Sequence, residues 1–197
     1  MKCLIVYAHP SEQSFTYLVK EKVIECLKNK NIEFEISDLY QMNFHETLTP
    51  EEYLREANYN LKKSIPLDVL KEQEKINRAD VIIFIYPVFW SEAPAKLVGW
   101  FQRVWTYGFA YGQNRGIKQL KKALFLVTMG GDLKEELRQK QVKAMKEIML
   151  GDRISDRALN SEMIIFDRMS REYENYKSNK NKFLNQIPHI IDQLSDI

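Results

Sequence analysis

The chain has 197 residues, 45% of them apolar and 28% charged, which suits one domain with a sizeable buried core. Its 29 basic and 27 acidic residues leave a net charge of +2, too little to expect nucleic acid or an anionic membrane as a partner. Two cysteines without zinc-ligand spacing predict neither a disulfide framework nor a metal site, and Cys3 and Cys26, both in apolar patterns, are expected to be buried thiols.

The chain opens on a strand, with a continuous apolar run over Leu4–Tyr7. Only about seven residues precede the first polar turn and no small-residue cleavage site follows, so no signal peptide is expected. No stretch approaches the roughly 18 apolar residues of a membrane span. The expected location is the cytoplasm.

Phe15, Leu18, Val19, Val23, Cys26 and Leu27 then fall at helical spacing, with Lys20, Glu21, Lys22, Glu25 and Lys28 facing outward. Ile32–Ile36 alternates apolar and charged residues, as an edge strand with one wet face does. The segment 41–66 is irregular and reads as an excursion within a single domain. It holds a short helix opened by Thr49, Pro50, Glu51 and Glu52, a capping box with proline at the first helical position. A helix follows over about Leu67–Asn77, then the apolar strand Val81–Tyr86 and a helix over Pro94–Trp105. The strand Ala123–Val127, a helix over Leu133–Met149, a strand at Met163–Phe166 and a helix over Glu172–Leu194 complete the chain. Continuous apolar strands alternating with helices predict a parallel sheet covered on both faces. Five strands with the second at an edge fit a flavodoxin-like three-layer α/β sandwich of order 2-1-3-4-5.

In such a sheet, ligands bind beyond the carboxyl ends of the strands where strand order reverses. The loops after strands 1, 3 and 4 meet there. Loop 1 carries His9, Ser14, Phe15 and Thr16, and places hydroxyls and free backbone N–H groups at a helix start, where a phosphate could sit. Alternatively, Ser14 is only an N-cap. The loop has neither P-loop spacing nor the glycine-rich dinucleotide fingerprint. Loop 3 carries Pro87, Val88, Phe89, Trp90 and Pro94, a stiff platform on which a planar heterocycle could stack, unless Phe89 and Trp90 turn back into the core. Loop 4, with Thr128, Gly130 and Gly131, allows close backbone approach, or is a plain tight turn.

Taken together, these segments resemble the NAD(P)H:quinone oxidoreductase family. The shared pattern runs from His9, Ser14 and Phe15 through Asp38-Leu39-Tyr40, Met42-Asn43-Phe44, Pro87, Trp90, Pro94-Ala95, Gly99-Trp100-Phe101, Arg103-Val104 and Phe109-Ala110-Tyr111 to Thr128, Gly130 and Gly131. It covers residues 2–131. The resemblance implies an enzyme that binds FAD, with FMN as the alternative, and uses NAD(P)H to reduce quinone-like acceptors by two-electron transfer in a ping-pong cycle. It implies flavin phosphates at His9, Ser14, Phe15 and Thr16, the ring against Pro87, Val88, Phe89 and Trp90, and its pyrimidine edge at Thr128, Gly130 and Gly131. Trp90 and Tyr111 would wall the substrate pocket, and the flavin would carry the chemistry. One departure stands out: the Tyr and His that follow the glycines in the family have no counterpart, since residues 132–171 contain neither type.

The resemblance also implies a homodimer. Leu97, Phe101 and Val104 form the buried stripe of their helix, whereas Trp100 and Trp105 lie off it, followed by Tyr107, Phe109 and Tyr111. Such a cluster suits an interface, unless the rings pack under the 41–66 excursion. Two other functional classes fit the fold: a flavin-binding regulatory subunit of a potassium-efflux system, and a flavodoxin-like electron carrier, which the near-neutral charge disfavours.

Overall fold

The computed structural model describes residues 1–194. Five parallel strands form one sheet of order β2-β1-β3-β4-β5, comprising β1 (Lys2–Tyr7), β2 (Glu33–Asp38), β3 (Val81–Pro87), β4 (Leu120–Thr128) and β5 (Ala158–Phe166). Alternate side chains of each strand feed opposite layers. Leu4, Val6, Ile82, Phe84, Phe125 and Val127 pack on one face against α3 (Leu67–Arg78) and α4 (Ala95–Val104). Cys3, Ile5, Val81, Ile83, Leu124 and Leu126 pack on the other against α1 (Phe15–Asn29) and α6 (Tyr176–Asp192). Both cysteines are buried thiols, and burial pushes Cys3 up to about 12.

At the edge, Glu35 of β2 takes Lys2 from the neighbouring strand and a two-pronged bond from Arg78. This is why a strand with alternating charges is stable there. The helix α2 (Pro50–Ala57) has the expected capping box: the Thr49 hydroxyl accepts from Glu52 N–H, and the Glu52 carboxylate accepts from Thr49 N–H at 2.8 Å.

Several boundaries differ from expectation, among them β4, which begins at Leu120, three residues before the expected Ala123. The helix expected from Leu133 starts at Glu136, because Asp132 draws residues 133–135 into a turn and Leu133 N–H donates instead to Asp167 Oδ2 at 3.1 Å. This helix, α5 (Glu136–Lys146), then widens into π-helical turns over Glu147–Ile154. The last helix starts at Tyr176 rather than Glu172, since turns centred on Ser170 and Tyr173 use the intervening N–H groups. The fifth strand begins at Ala158, five residues before the apolar run. Its early polar residues face solvent along an edge, and Lys122 pairs across to Glu162 at 2.9 Å.

The aromatic cluster expected at an exposed interface packs inward instead. Trp100 is fully buried, its Nε1 donating to Glu72 Oε2 at 2.9 Å, and its ring lies edge-on to Phe84. Trp105 donates to the carbonyl of Arg153 at 2.5 Å. Phe109 is buried, and the Tyr107 ring sits between Tyr59 of the excursion, tilted against it, and Tyr111, edge-on to it. The helical stripe is wider than three residues because α4 is covered on two sides: by the sheet, and by the excursion with α3. Arg103 shows how tightly the second cover is tied, donating to Glu52, Asp68 and the carbonyl of His45. Gly99 makes the approach possible, since a Cβ there would lie 2.1 Å from the carbonyl oxygen of Glu46.

Candidate functional site

Beyond the carboxyl ends of the strands lies a cavity of about 420 Å³. Its walls hold His9, Ser14, Phe15 and Thr16 from loop 1, Pro87 and Val88 from loop 3, and Thr128 and Gly130 from loop 4. Four other expected site residues stand outside this lining. Phe89 and Glu92 exchange both backbone hydrogen bonds (2.9 and 3.1 Å), so Trp90 and Ser91 between them form a tight two-residue reversal. Trp90 sits in the left-handed region at φ +61° and is 97% exposed, so neither expectation for its ring, core or cavity wall, describes this conformation. Tyr111 is held by α2: its hydroxyl donates to Glu56 Oε2 at 2.8 Å, which also accepts from Tyr107 N–H at 2.7 Å. At Gly131 the place of a side chain is taken by Arg138, whose Nε would lie 2.6 Å from a Cβ.

Loop 1 is built by local hydrogen bonds. Ser11 N–H donates to His9 Nδ1 at 2.9 Å, and Gln13 N–H to Ser11 Oγ at 3.1 Å. The Ser14 hydroxyl donates to Ser11 O and accepts from Tyr17 N–H, both at 3.0 Å. Ser14 is therefore the N-cap of α1, and its single proton is already committed. An anion in the cavity would have to be held by the first-turn N–H groups of α1, which have no carbonyl four residues back, and by the helix dipole. His9 faces the cavity with Nδ1 accepting, so its remaining proton is on Nε2. Burial lowers its pKa from the usual value, which keeps it neutral as a hydrogen-bond donor near pH 7.

Thr16 and Thr128 meet across the cavity floor with their hydroxyl oxygens 2.7 Å apart. One proton lies between them, and the second remains available to an acceptor above. Val88 N–H donates to Thr128 O at 2.8 Å and Met129 N–H to Phe166 O at 2.9 Å, so the loops inherit the register of the sheet. At Gly130 the nearest atom to a would-be Cβ is 3.9 Å away, leaving its face open.

Six further residues line the cavity: Ser11, Gln13, Met129, Met169, Arg171 and Tyr176. The last three come from the loop after β5 and the start of α6. The rule that marked loops 1, 3 and 4 applies equally to a fifth strand, and Arg171-x4-Tyr176 was the available signal. Among the described residues, no group of three or more His, Cys, Asp or Glu is placed to hold a metal ion.

A family model described as flavodoxin-like fold matches residues 1–153. The chain belongs to this flavodoxin-like family. Within it, the chain is a relative of the NAD(P)H:quinone oxidoreductases. It is 38% identical to NAD(P)H dehydrogenase (quinone) 1 of Cavia porcellus, in a match covering 66% of this chain and 54% of that protein. It is 34% identical to ribosyldihydronicotinamide dehydrogenase (quinone) of Homo sapiens, covering 66% and 64% of the two chains. The chain thus spans little more than half the length of the first of these relatives. Among solved structures, NAD(P)H:quinone oxidoreductase from Methanothermobacter marburgensis superposes with a TM-score of 0.86 at 38% identity, covering 96% of each chain.

The flavodoxin-like cavity fits a flavin. A planar ring can enter between Pro87–Val88 and loop 4, where the open face of Gly130 admits it and backbone and hydroxyl donors surround its edge. A phosphate can reach the start of α1. Loop 1 offers backbone donors and a neutral imidazole N–H, with no carboxylate among the lining residues to repel an anion.

Proposed function

We propose that the protein is a flavin-dependent NAD(P)H oxidoreductase that reduces quinone-like acceptors. The observation that carries this reading is one cavity in which the α1 N-terminus, the Pro87–Val88 strand end and the Thr128–Gly130 backbone converge. A bound flavin would take a hydride from NAD(P)H and pass it to the acceptor. The residues bind and orient it. Phe15 and Thr16 offer first-turn N–H groups to phosphate, Pro87 and Val88 flank the ring, and the spare Thr16–Thr128 proton meets a ring oxygen. A single site serving both nicotinamide and acceptor gives ping-pong kinetics, with each leaving before the other enters.

FAD is the favoured form. α6 packs beside α1, so Arg171 and Tyr176 lie toward the loop 1 side, where they provide a cation and an aromatic ring for a second phosphate and an adenine. FMN is the alternative, distinguished by heat release and chromatography of the bound flavin. The enzyme reading is favoured over an electron carrier by the near-neutral net charge and by the likeness to quinone oxidoreductases. A homodimer is also part of the proposal, supported by the exposed Tyr53, Leu54, Tyr59, Leu61 and Leu67 rather than by the buried Trp100.

The test is flavin titration of purified protein, followed by steady-state turnover with a quinone panel and both nicotinamide nucleotides, with sedimentation at micromolar concentration. Protein that takes up neither FAD nor FMN would overturn the reading. Parallel initial-rate lines are expected, and intersecting lines would reject the ping-pong order.

A further inference from the structure

Hydride transfer from NAD(P)H moves two electrons and one hydrogen nucleus. The nicotinamide leaves as a cation, and the flavin gains one negative charge on its pyrimidine side unless solvent adds a second proton. In a site sheltered from water this charge needs a fixed counter-charge. Residues 132–171 contain no Tyr and no His to supply it.

What α5 does bring back onto loop 4 is Arg138. Its guanidinium rests on the backbone at Gly131, with Nε 2.6 Å and Cζ 3.3 Å from the position of a would-be Cβ, one residue beyond Gly130 of the cavity wall. Nη1 donates to Gln141 Oε1 at 2.8 Å, which orients the fork. Nε is shut off from solvent and has no hydrogen-bond acceptor. That same Nε forms an ion pair with Glu135 Oε2 at 3.5 Å, on a half-exposed side chain. Across Gly131, Arg168 N–H donates to its carbonyl at 2.9 Å, and Arg168 Nε, likewise buried without a hydrogen bond, lies 3.3 Å from Oδ2 of its own neighbour Asp167, a mostly buried carboxylate. Of the two arginines at this loop, Arg138 is the one whose charge lacks a close buried carboxylate.

We propose that Arg138 balances the negative charge of the reduced flavin at loop 4, an assignment that rests on the flavin reading of the cavity. Gly131 then has a second reason to be glycine: a side chain there would displace the guanidinium. An arginine suits the task because it stays charged at every working pH and cannot surrender the proton it presents. Nε, tied only to a half-exposed carboxylate at 3.5 Å and making no hydrogen bond, is a donor in a partly dry place, where an acceptor that becomes more negative on reduction gains most.

The test uses flavin-loaded wild type, Arg138→Gln, Arg138→Lys and Gly131→Ala. Two quantities are measured: the affinity for oxidised flavin, by fluorescence titration, and the two-electron midpoint potential, by spectroelectrochemistry. Arg138→Gln should leave oxidised-flavin affinity within about twofold and weaken reduced relative to oxidised flavin about tenfold, a fall of about 30 mV for a two-electron couple. Arg138→Lys should recover most of the potential. Gly131→Ala, which keeps the charge but pushes it off the loop, should shift the potential in the same direction as Arg138→Gln. An Arg138→Gln potential equal to that of wild type would overturn the assignment, as would equal losses of oxidised and reduced affinity, which mark a purely structural latch. Wild type that takes up no flavin would instead overturn the flavin reading itself, and the assignment with it.

Discussion

Thr16 and Thr128, 112 positions apart in the chain, bring their hydroxyl oxygens within 2.7 Å of each other in a buried contact. The contact joins the first turn of α1 to the end of β4, and so fixes the distance between loop 1 and loop 4. A buried hydroxyl left without its partner costs about 1–3 kcal/mol, whereas replacing both partners by apolar groups of similar shape costs much less. Thr16→Val alone should therefore destabilise by about that amount, and Thr16→Val with Thr128→Val by clearly less than the sum of the two single changes. Urea unfolding of the four proteins measures the coupling, and strictly additive losses would reject the pairing.

Trp100 offers a second stability test. Its indole N–H donates to a Glu72 carboxylate that is itself fully buried and otherwise held by Lys75 at 2.7 Å. Trp100→Phe removes that donor and leaves a void in the core, so a loss of about 3 kcal/mol is expected. Were Trp100 a surface residue at an interface, thermal and urea midpoints would barely move and only self-association would change.

Trp90 should behave in the opposite way. Its left-handed φ of +61° is unfavourable for any side chain, and its exposed ring gains no packing in return. Trp90→Gly is expected to stabilise the protein by about 1 kcal/mol, by relieving the backbone. The variant should also lose the most red-shifted tryptophan emission, because Trp100 and Trp105 are packed against the core. A lower unfolding midpoint for Trp90→Gly would show that the ring has a structural partner.

The β2 edge predicts a pH dependence. The Arg78 guanidinium, donating to Glu35 at 3.0 and 2.9 Å, holds that carboxyl at about 2 against an ordinary value of 4.5. The folded value is depressed, so the stabilisation is fully present above 4.5 and is lost as pH falls toward about 2. Between these limits wild type should lose stability more steeply than Glu35→Gln. Equal slopes in unfolding experiments across pH 4.5 to 2 would count against the ion pair.

Much of this molecule is set by local pattern. Continuous apolar strands, amphipathic helices and the Thr49–Glu52 capping box each follow from hydrogen-bond and burial rules that act over a few residues, so β1 to β5, α1 to α4 and the sheet order were legible in the sequence. The site was legible where it hangs on strand ends: His9, Ser14, Phe15, Thr16, Pro87, Val88, Thr128 and Gly130 fall where the sheet must put them. Only the tertiary structure decided what depends on partners distant in sequence. Trp100 points into the core because the 41–66 excursion and α3 cover the second side of α4, and no periodicity within α4 encodes that cover. Trp90 points outward because the Phe89–Glu92 hydrogen bonds force a reversal there. Arg171 and Tyr176 reach the cavity because α6 packs along α1, and Arg138 settles on Gly131 because α5 starts three residues late, after Leu133 N–H is drawn to Asp167. Local propensity selects the elements, but which of two chemically acceptable directions a side chain takes is settled by the neighbours that fill the space around it.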